Sequence, residues 1–307
     1  MRVAAVDCGT NSVRLLVADV DGRTKVDRHR EMRVVRLGQG VDATGSLAPE
    51  AVERTRVALV DYAATCRSLG VQAVRMVATS ATRDAANRAD FEAVVHDVLG
   101  VAPEVVTGEE EAALSFDGAT RGLDPADGPF LVMDIGGGST EVVLGTTGVQ
   151  AARSVDVGCV RLTERHLRSD PPTAGEIALA TSDVERALAL VREVVPVEQA
   201  RTVVGLAGSV TTVAALALGL EAYDADRLHL SRVSAAAVAD VTARLLAMTR
   251  AQRAALPVMH PGRVDVIGAG ALVLHLLLDR LGAPVVLVSE ADILDGIAWS
   301  VTARPRP

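Results

Sequence analysis

The chain has 307 residues and a net charge of −8, and 49% of its residues are hydrophobic while 2% are aromatic. That length holds about two domains of ordinary size, and cores of Val, Ala and Leu suit buried sheets flanked by helices. The acidic balance argues against general nucleic-acid binding; scattered Cys8, Cys66 and Cys159 without CxxC pairing, an apolar start broken by Asp7 and a longest uncharged run of 266–278 predict a cytoplasmic protein with no disulfide framework, zinc site, signal peptide or membrane span.

A strand-like run at 3–6 enters Asp7-Cys8-Gly9-Thr10-Asn11-Ser12, and a second apolar run leaves it for a turn at Asp21-Gly22. Arg23, Lys25, Arg28, His29, Arg30, Arg33 and Arg36, interrupted by Asp27 and Glu31, read as a solvated hairpin edge, with a substrate track as the alternative. A strand at 33–37 and a glycine-rich turn at 38–46 precede a helix that Pro49 opens and Gly70 ends. Then come a strand at 71–78, a polar loop at 79–84, a helix to about Leu99, a strand at 104–107 and a helix from about Glu109 to Thr120. The linker 123–129, with two prolines, two aspartates and a glycine, divides 1–123 from 124–307.

The second half repeats the opening and is the more helical. After its hairpin the pattern predicts a strand at 153–157 and a helix from about Cys159, then a long helix at 173–194. A strand at 202–205 enters Leu206-Ala207-Gly208-Ser209 and a helix, and further helices span 234–248 and 264–281. A strand at 285–288 and a final helix at about 291–302, a candidate to pack back on the first domain, complete it.

The hairpin of the second half carries Asp134-Ile135-Gly136-Gly137-Gly138-Ser139-Thr140-Glu141, three glycines between two carboxylates. Three glycines cost more conformational entropy than a simple reversal requires. Consecutive small residues let N–H groups converge on an anion such as phosphate, and Ser139 and Thr140 add hydroxyls; an ordinary glycine-rich hairpin is the competing account. The stretch has neither the Gly-Lys-Ser/Thr of a P-loop nor the following helix of a dinucleotide loop, because Val142-Val143-Leu144-Gly145 reads as a strand. The N-terminal copy aligns at one offset, Asp7 with Asp134, Gly9 with Gly136 and Ser12 with Ser139, with strands on both sides, which points to duplication.

With Lys25 the single lysine, in a charged segment, phosphate chemistry must draw positive charge from arginine or a metal ion. Asp7 and Asp134 end equivalent strands, where hard carboxylate oxygens suit Mg²⁺, with Mn²⁺ as the alternative, unless each merely caps its own turn. Glu109, Glu110 and Glu111 lie in the first turn of a helix and stabilise its dipole, or one of them acts as general base on water. Arg83 is either a phosphate contact or a surface residue near a helix start, and 205–209 is either an anion loop at a helix N-terminus or a tight turn. Cys8 reads as packing, and His260 and the other histidines show no metal-ligand spacing.

Two Asp-x-Gly hairpins in duplicated domains with a later Ala-Gly loop resemble the actin, Hsp70 and sugar kinase superfamily. Within it, DCGTNSVRLLV, ATSATRDA, TGEEEAAL, DIGGGSTE, DVGCVRLTE, GLAGSVTTVAAL and RVDVIGAGAL resemble, in order and over nearly the whole chain, the exopolyphosphatase and guanosine pentaphosphate phosphohydrolase family. The resemblance implies an α/β fold of duplicated actin-like (ribonuclease H-like) domains, mixed sheets flanked by helices around an interdomain cleft. It implies Glu111 as catalytic base and Glu141 as a second catalytic carboxylate that positions water or metal. Arg83 falls on a phosphate-contacting arginine, and Thr10, Asn11, Ser12, Gly136, Gly137, Gly138, Ser139, Gly208 and Ser209 fall on phosphate-binding loops. Metal then belongs to Asp134 and Glu141, with Asp7 as a further candidate.

Longer members of that family carry extra C-terminal helical domains, and this chain resembles the short two-domain form. The reading is an exopolyphosphatase that releases terminal phosphate from inorganic polyphosphate by metal-assisted attack of water, with guanosine pentaphosphate hydrolysis or guanosine tetra- and pentaphosphate sensing as the alternative. A phosphotransferase on the same fold is the remaining rival. No nucleic-acid or membrane partner is expected, and a homodimer is the default.

Overall fold

The structure, a computed structural model, describes residues 1–21 and 24–303; Gly22 of the first turn and Arg23 of the basic cluster lie outside the described residues. From the N-terminus, β1 (Arg2–Cys8), β2 (Ser12–Val20) and β3 (Lys25–Val34) form an antiparallel meander. Helices α1 (Val41–Thr44) and α2 (Pro49–Ser68) lead to β4 (Ala73–Ala78), α3 (Ser80–Arg83), α4 (Arg88–Leu99), β5 (Glu104–Val105) and α5 (Gly108–Thr120). The second meander is β6 (Phe130–Ile135), β7 (Thr140–Gly145) and β8 (Val149–Val155), followed by α6 (Cys159–His166), α7 (Ala174–Arg192), β9 (Thr202–Leu206) and α8 (Ala207–Ala217). The chain closes with α9 (Ala225–Leu228), β10 (Arg232–Ser234), α10 (Ala235–Ala247), α11 (Arg250–Ala254), α12 (Ile267–Leu281), β11 (Val285–Val288) and α13 (Ile293–Ala303).

These elements make two compact units. One is Met1–Gly118 together with α13, and the other is Ala119–Asp292, so the first boundary falls inside α5. The first unit holds a sheet in the order β3-β2-β1-β4-β5, with β4 parallel to β1; the second holds β10-β11-β9-β6-β7-β8, with β9 parallel to β6. Both sheets are mixed and flanked by helices. In each, a three-stranded meander is extended on its first strand by a parallel strand that arrives after helices, so the duplication seen in the motifs extends to topology.

The period-2 alternation of β1 explains how the first sheet is covered. Ala4, Val6 and Cys8 face a cluster with Leu59 and Tyr62 of α2 and Phe91 of α4, while Val3 and Ala5 face Leu114 of α5 and Ile293, Ile297 and Trp299 of α13. In the second unit, Leu131, Met133, Val142 and Leu144 join one core with Val184 and Leu188 of α7, Val210 of α8, Val241 of α10 and Leu272 of α12. Thr173 starts α7 with a reciprocal capping box to Glu176.

Three sequence expectations are corrected. The strand placed at 33–37 is β3 at Lys25–Val34, which lies at the edge of its sheet and carries the basic cluster from Lys25 to Arg33. It shows no apolar alternation because charge guards an edge that has no second strand to meet. The polar loop at 79–84 contains a four-residue helix, α3, and the strand at 153–157 is the earlier β8 at Val149–Val155. Three-residue β10 went unread, being too short for a periodic signal.

Charged groups tie the first unit together. Lys25 and Arg30 of β3 converge on the buried Asp295 of α13 at 2.9 and 2.8 Å. Arg75 of β4 is 5% exposed and reaches Glu104 at 2.8 Å, Glu110 at 2.9 Å and the Ser300 hydroxyl at 2.5 Å, linking β5, α5 and α13. Replacing Arg75 by Ala is expected to cost about 2 kcal/mol in urea unfolding, below the usual loss for a broken buried pair because both carboxylates reach solvent. Among the described residues, no helix is long and apolar enough to cross a membrane, and the three cysteines are free and buried.

Candidate active site

The first unit gathers its motifs at the ends of β1 and β4. Gly9 N–H donates to Ser12 C=O at 3.0 Å and closes the turn, and the following chain seals it from behind: Thr10 C=O accepts from Gly38 N–H, and Asn11 C=O accepts from Val35 and Arg36 N–H. A Cβ at Gly38 would sit 2.3 Å from Thr10 Cγ2, so that approach needs glycine. With the carbonyls so engaged, Thr10 N–H donates to no backbone carbonyl among the described residues. Thr10 Oγ1 and Ser80 Oγ share a 2.8 Å hydrogen bond, and Thr79 N–H donates to Cys8 C=O, which brings α3 against the turn.

Arg83, at the end of α3, donates to Glu111 Oε2 and to Val106 C=O, both at 3.0 Å. The three glutamates of the first turn of α5 thereby separate: Glu109 and Glu110 are exposed, whereas Glu111 is 7% exposed and held by Arg83. Asp7 faces Arg14 across the β1–β2 ladder, and Oδ2 accepts both Arg14 Nε and Nη2, at 2.9 and 2.7 Å. Burial, with the nearby Asp7 charge, pushes the Cys8 thiol far above its ordinary range, so Cys8 stays protonated and unreactive.

The second unit repeats the turn with the same bond, Gly136 N–H to Ser139 C=O at 3.0 Å. Behind it lies the start of α6. Gly136 C=O accepts from Cys159 N–H, Gly137 C=O accepts from Val160 and Arg161 N–H, and Gly138 C=O accepts Arg161 Nε at 2.7 Å. The first N–H groups of α6, which have no partner within the helix, are thus satisfied by the glycine carbonyls. The opposite side of the same peptides carries the Gly137 and Gly138 N–H groups, which donate to no backbone carbonyl among the described residues.

Asp134 and Glu141 are directly opposite in the β6–β7 ladder, 7% and 1% exposed, and Ser154 of β8 donates to Glu141 Oε1 at 2.7 Å. On the neighbouring parallel strand β9, Leu206 pairs with Asp134, which places Gly208 and Ser209 beside the glycine loop. Ala207 holds φ at 67°, a left-handed conformation that costs a non-glycine residue about 1–2 kcal/mol. Arg263 lies over this turn and donates to Gly208 C=O and Thr212 Oγ1, each at 3.1 Å. Ser209 hydrogen-bonds the Cys159 side chain, whose thiol burial keeps high.

A model of the Ppx/GppA phosphatase family matches residues 16–303. The chain belongs to that family. It is 56% identical to exopolyphosphatase 2 of Mycobacterium tuberculosis over 98% of both chains. Among solved structures, an exopolyphosphatase-like protein superposes with a TM-score of 0.96 at 43% identity over 99% of both chains. The Ppx/GppA member of Aquifex aeolicus gives 0.83 at 30% identity, covering 99% of this chain and 98% of the other.

For a Ppx/GppA protein, the residues that the sequence proposed as a site fall into two groups, each assembled inside one unit: Asp7, Thr10, Asn11, Ser12, Arg83 and Glu111, and then Asp134, Gly136, Gly137, Gly138, Ser139, Glu141, Gly208 and Ser209. Arg14, Ser154, Arg161 and Arg263 were missed. Arg14, Arg161 and Arg263 stand inside quoted family motifs and so carried a signal; Ser154 acts through ladder register, which no spacing reveals. Among the described residues no cluster of three or more His, Cys, Asp or Glu is placed to hold a metal ion. The donor chemistry does fit Mg²⁺, which binds through one or two carboxylates and keeps waters. Asp134 and Glu141 are buried like charges directly opposite each other, an arrangement that is destabilising unless charge is offset. Asp7 is paired with Arg14 at 2.7 Å.

Proposed function

We propose that this chain is an exopolyphosphatase, hydrolysing the terminal phosphoanhydride of inorganic polyphosphate. The near-full-length likeness to the mycobacterial exopolyphosphatase 2 carries the substrate, and the chemistry of both residue groups is consistent with it. Thr10, Gly137 and Gly138 N–H groups bind phosphate oxygens, the role suited to small-residue turns whose carbonyls are engaged elsewhere. Arg83 adds positive charge and orients Glu111 through Oε2. Glu111 takes a proton from water as its oxygen attacks the terminal phosphorus, the bridging P–O bond breaks, and inorganic phosphate leaves. Asp134 and Glu141 would hold Mg²⁺, which when bound neutralises phosphate charge.

The test is phosphate release from medium-chain polyphosphate with Mg²⁺, with and without EDTA, beside guanosine pentaphosphate as a second substrate. Expected is release from polyphosphate that EDTA abolishes and Mg²⁺ or Mn²⁺ restores. A folded protein that leaves polyphosphate intact and hydrolyses guanosine pentaphosphate overturns the polyphosphate reading.

A further inference from the structure

The second meander aligns three polar residues across three strands. Asp134 of β6 pairs with Glu141 of β7, and Glu141 pairs with Ser154 of β8. Residues directly opposite in a ladder project to the same face, so the row runs carboxylate, carboxylate, hydroxyl. The equivalent row of the first meander is Asp7, Arg14 and Met32. There the middle residue is a cation that pairs with its aspartate at 2.7 Å.

The contrast bears on what the outer strand must supply. Glu141 is nearly inaccessible, and a buried carboxylate needs hydrogen-bond donors. An arginine or lysine at position 154 would satisfy it as Arg14 satisfies Asp7, but would also cancel its charge. A hydroxyl donates without cancelling charge, and Ser154 Oγ does so at 2.7 Å from the half-buried outer strand. We infer that Ser154 is a positioning residue for the reaction: by fixing Glu141 through Oε1 it aims the carboxylate for its work with Asp134 and itself brings no positive charge to the pair. The inference rests on the role proposed above for Glu141.

Ser154→Val and Ser154→Thr are nearly isosteric, both suit a strand, and differ in the hydroxyl alone. Loss of a group that orients a metal-binding carboxylate costs 10–100-fold, so S154V should lower kcat by about that factor with KM for polyphosphate unchanged. Mn²⁺ binding to the protein without substrate, read by electron paramagnetic resonance, should weaken by about tenfold or more. S154T should restore both, and thermal midpoints of the two variants should agree. Ser154→Ala repeats the comparison in a smaller side chain should S154V fold poorly. An inactive Glu141→Gln beside an S154V or S154A enzyme with native kcat and Mn²⁺ affinity overturns the inference while the reading of Glu141 stands. A fully active Glu141→Gln overturns both.

Discussion

Glu111→Gln is expected to lower phosphate release by a factor of about 10² to 10⁴, the usual contribution of a general base, while the protein stays folded. Burial and the bond from Arg83 set this glutamate apart from its neighbours. Glu110 is exposed and engaged with Arg75, and Glu109 is exposed. Glu111 is buried at the N-terminal turn of α5, where the helix dipole favours an anion, and accepts Arg83 at 3.0 Å. Glutamine keeps the shape and can still accept from Arg83 through its amide oxygen, but it cannot take a proton from water. Its effect should therefore fall on kcat, with stability in urea lowered by no more than about 1–2 kcal/mol for the lost charge-assisted bond. Glu110→Gln should keep turnover within about twofold, since rehydration of Arg75 and Glu104 is a stability matter. An active Glu111→Gln alongside an inactive Glu110→Gln would show that the base is misassigned.

Much of the architecture is written in local signals. Pro49 and Gly70 bound a helix, Thr173 and Glu176 box another, and the Asp-x-Gly hairpins repeat at one offset, so helices, most strands and the duplication are readable before any coordinates. The failures share a cause. β3 carries charge where a buried strand would carry Val or Ile, because an edge strand is selected against association more than for burial. The site is legible as residue types and hidden as partners. Three adjacent glutamates look alike in sequence, and what distinguishes them is the distant Arg75 and Arg83. Likewise, Asp7 and Asp134 occupy equivalent places in the repeat, yet one faces Arg14 across the ladder and the other Glu141, so equal motifs meet unlike neighbours.

Gly158→Ala is expected to be among the most damaging substitutions of a single methyl group. Gly158 has φ −146° and ψ 166°, extended backbone that alanine adopts freely, so conformational freedom does not explain the glycine. Space does. A Cβ there would lie 2.4 Å from both the carbonyl carbon and oxygen of Gly137 and 2.7 Å from the Gly138 carbonyl carbon. These are backbone atoms, which cannot rotate aside as a side chain would. Relief requires moving the glycine loop off α6, breaking the bonds from Val160 and Arg161 N–H to Gly137 C=O and turning the Gly137 and Gly138 N–H groups away from the phosphate they are proposed to bind. Overpacking of this kind costs about 2–3 kcal/mol or more, against the few tenths to 1 kcal/mol that Gly→Ala gains through the unfolded chain. A loop displaced by about 1 Å costs turnover on the order of 100-fold. Gly175→Ala is the matched control: it lies in α7 with nothing within 4 Å of the added methyl, and helix propensity favours it by about 0.5–1 kcal/mol. Urea unfolding and phosphate-release kinetics on the two variants separate the accounts. Close approach of α6 to the backbone of the glycine loop is what position 158 serves if Gly158→Ala loses both stability and turnover, and that explanation fails if Gly158→Ala behaves as Gly175→Ala does.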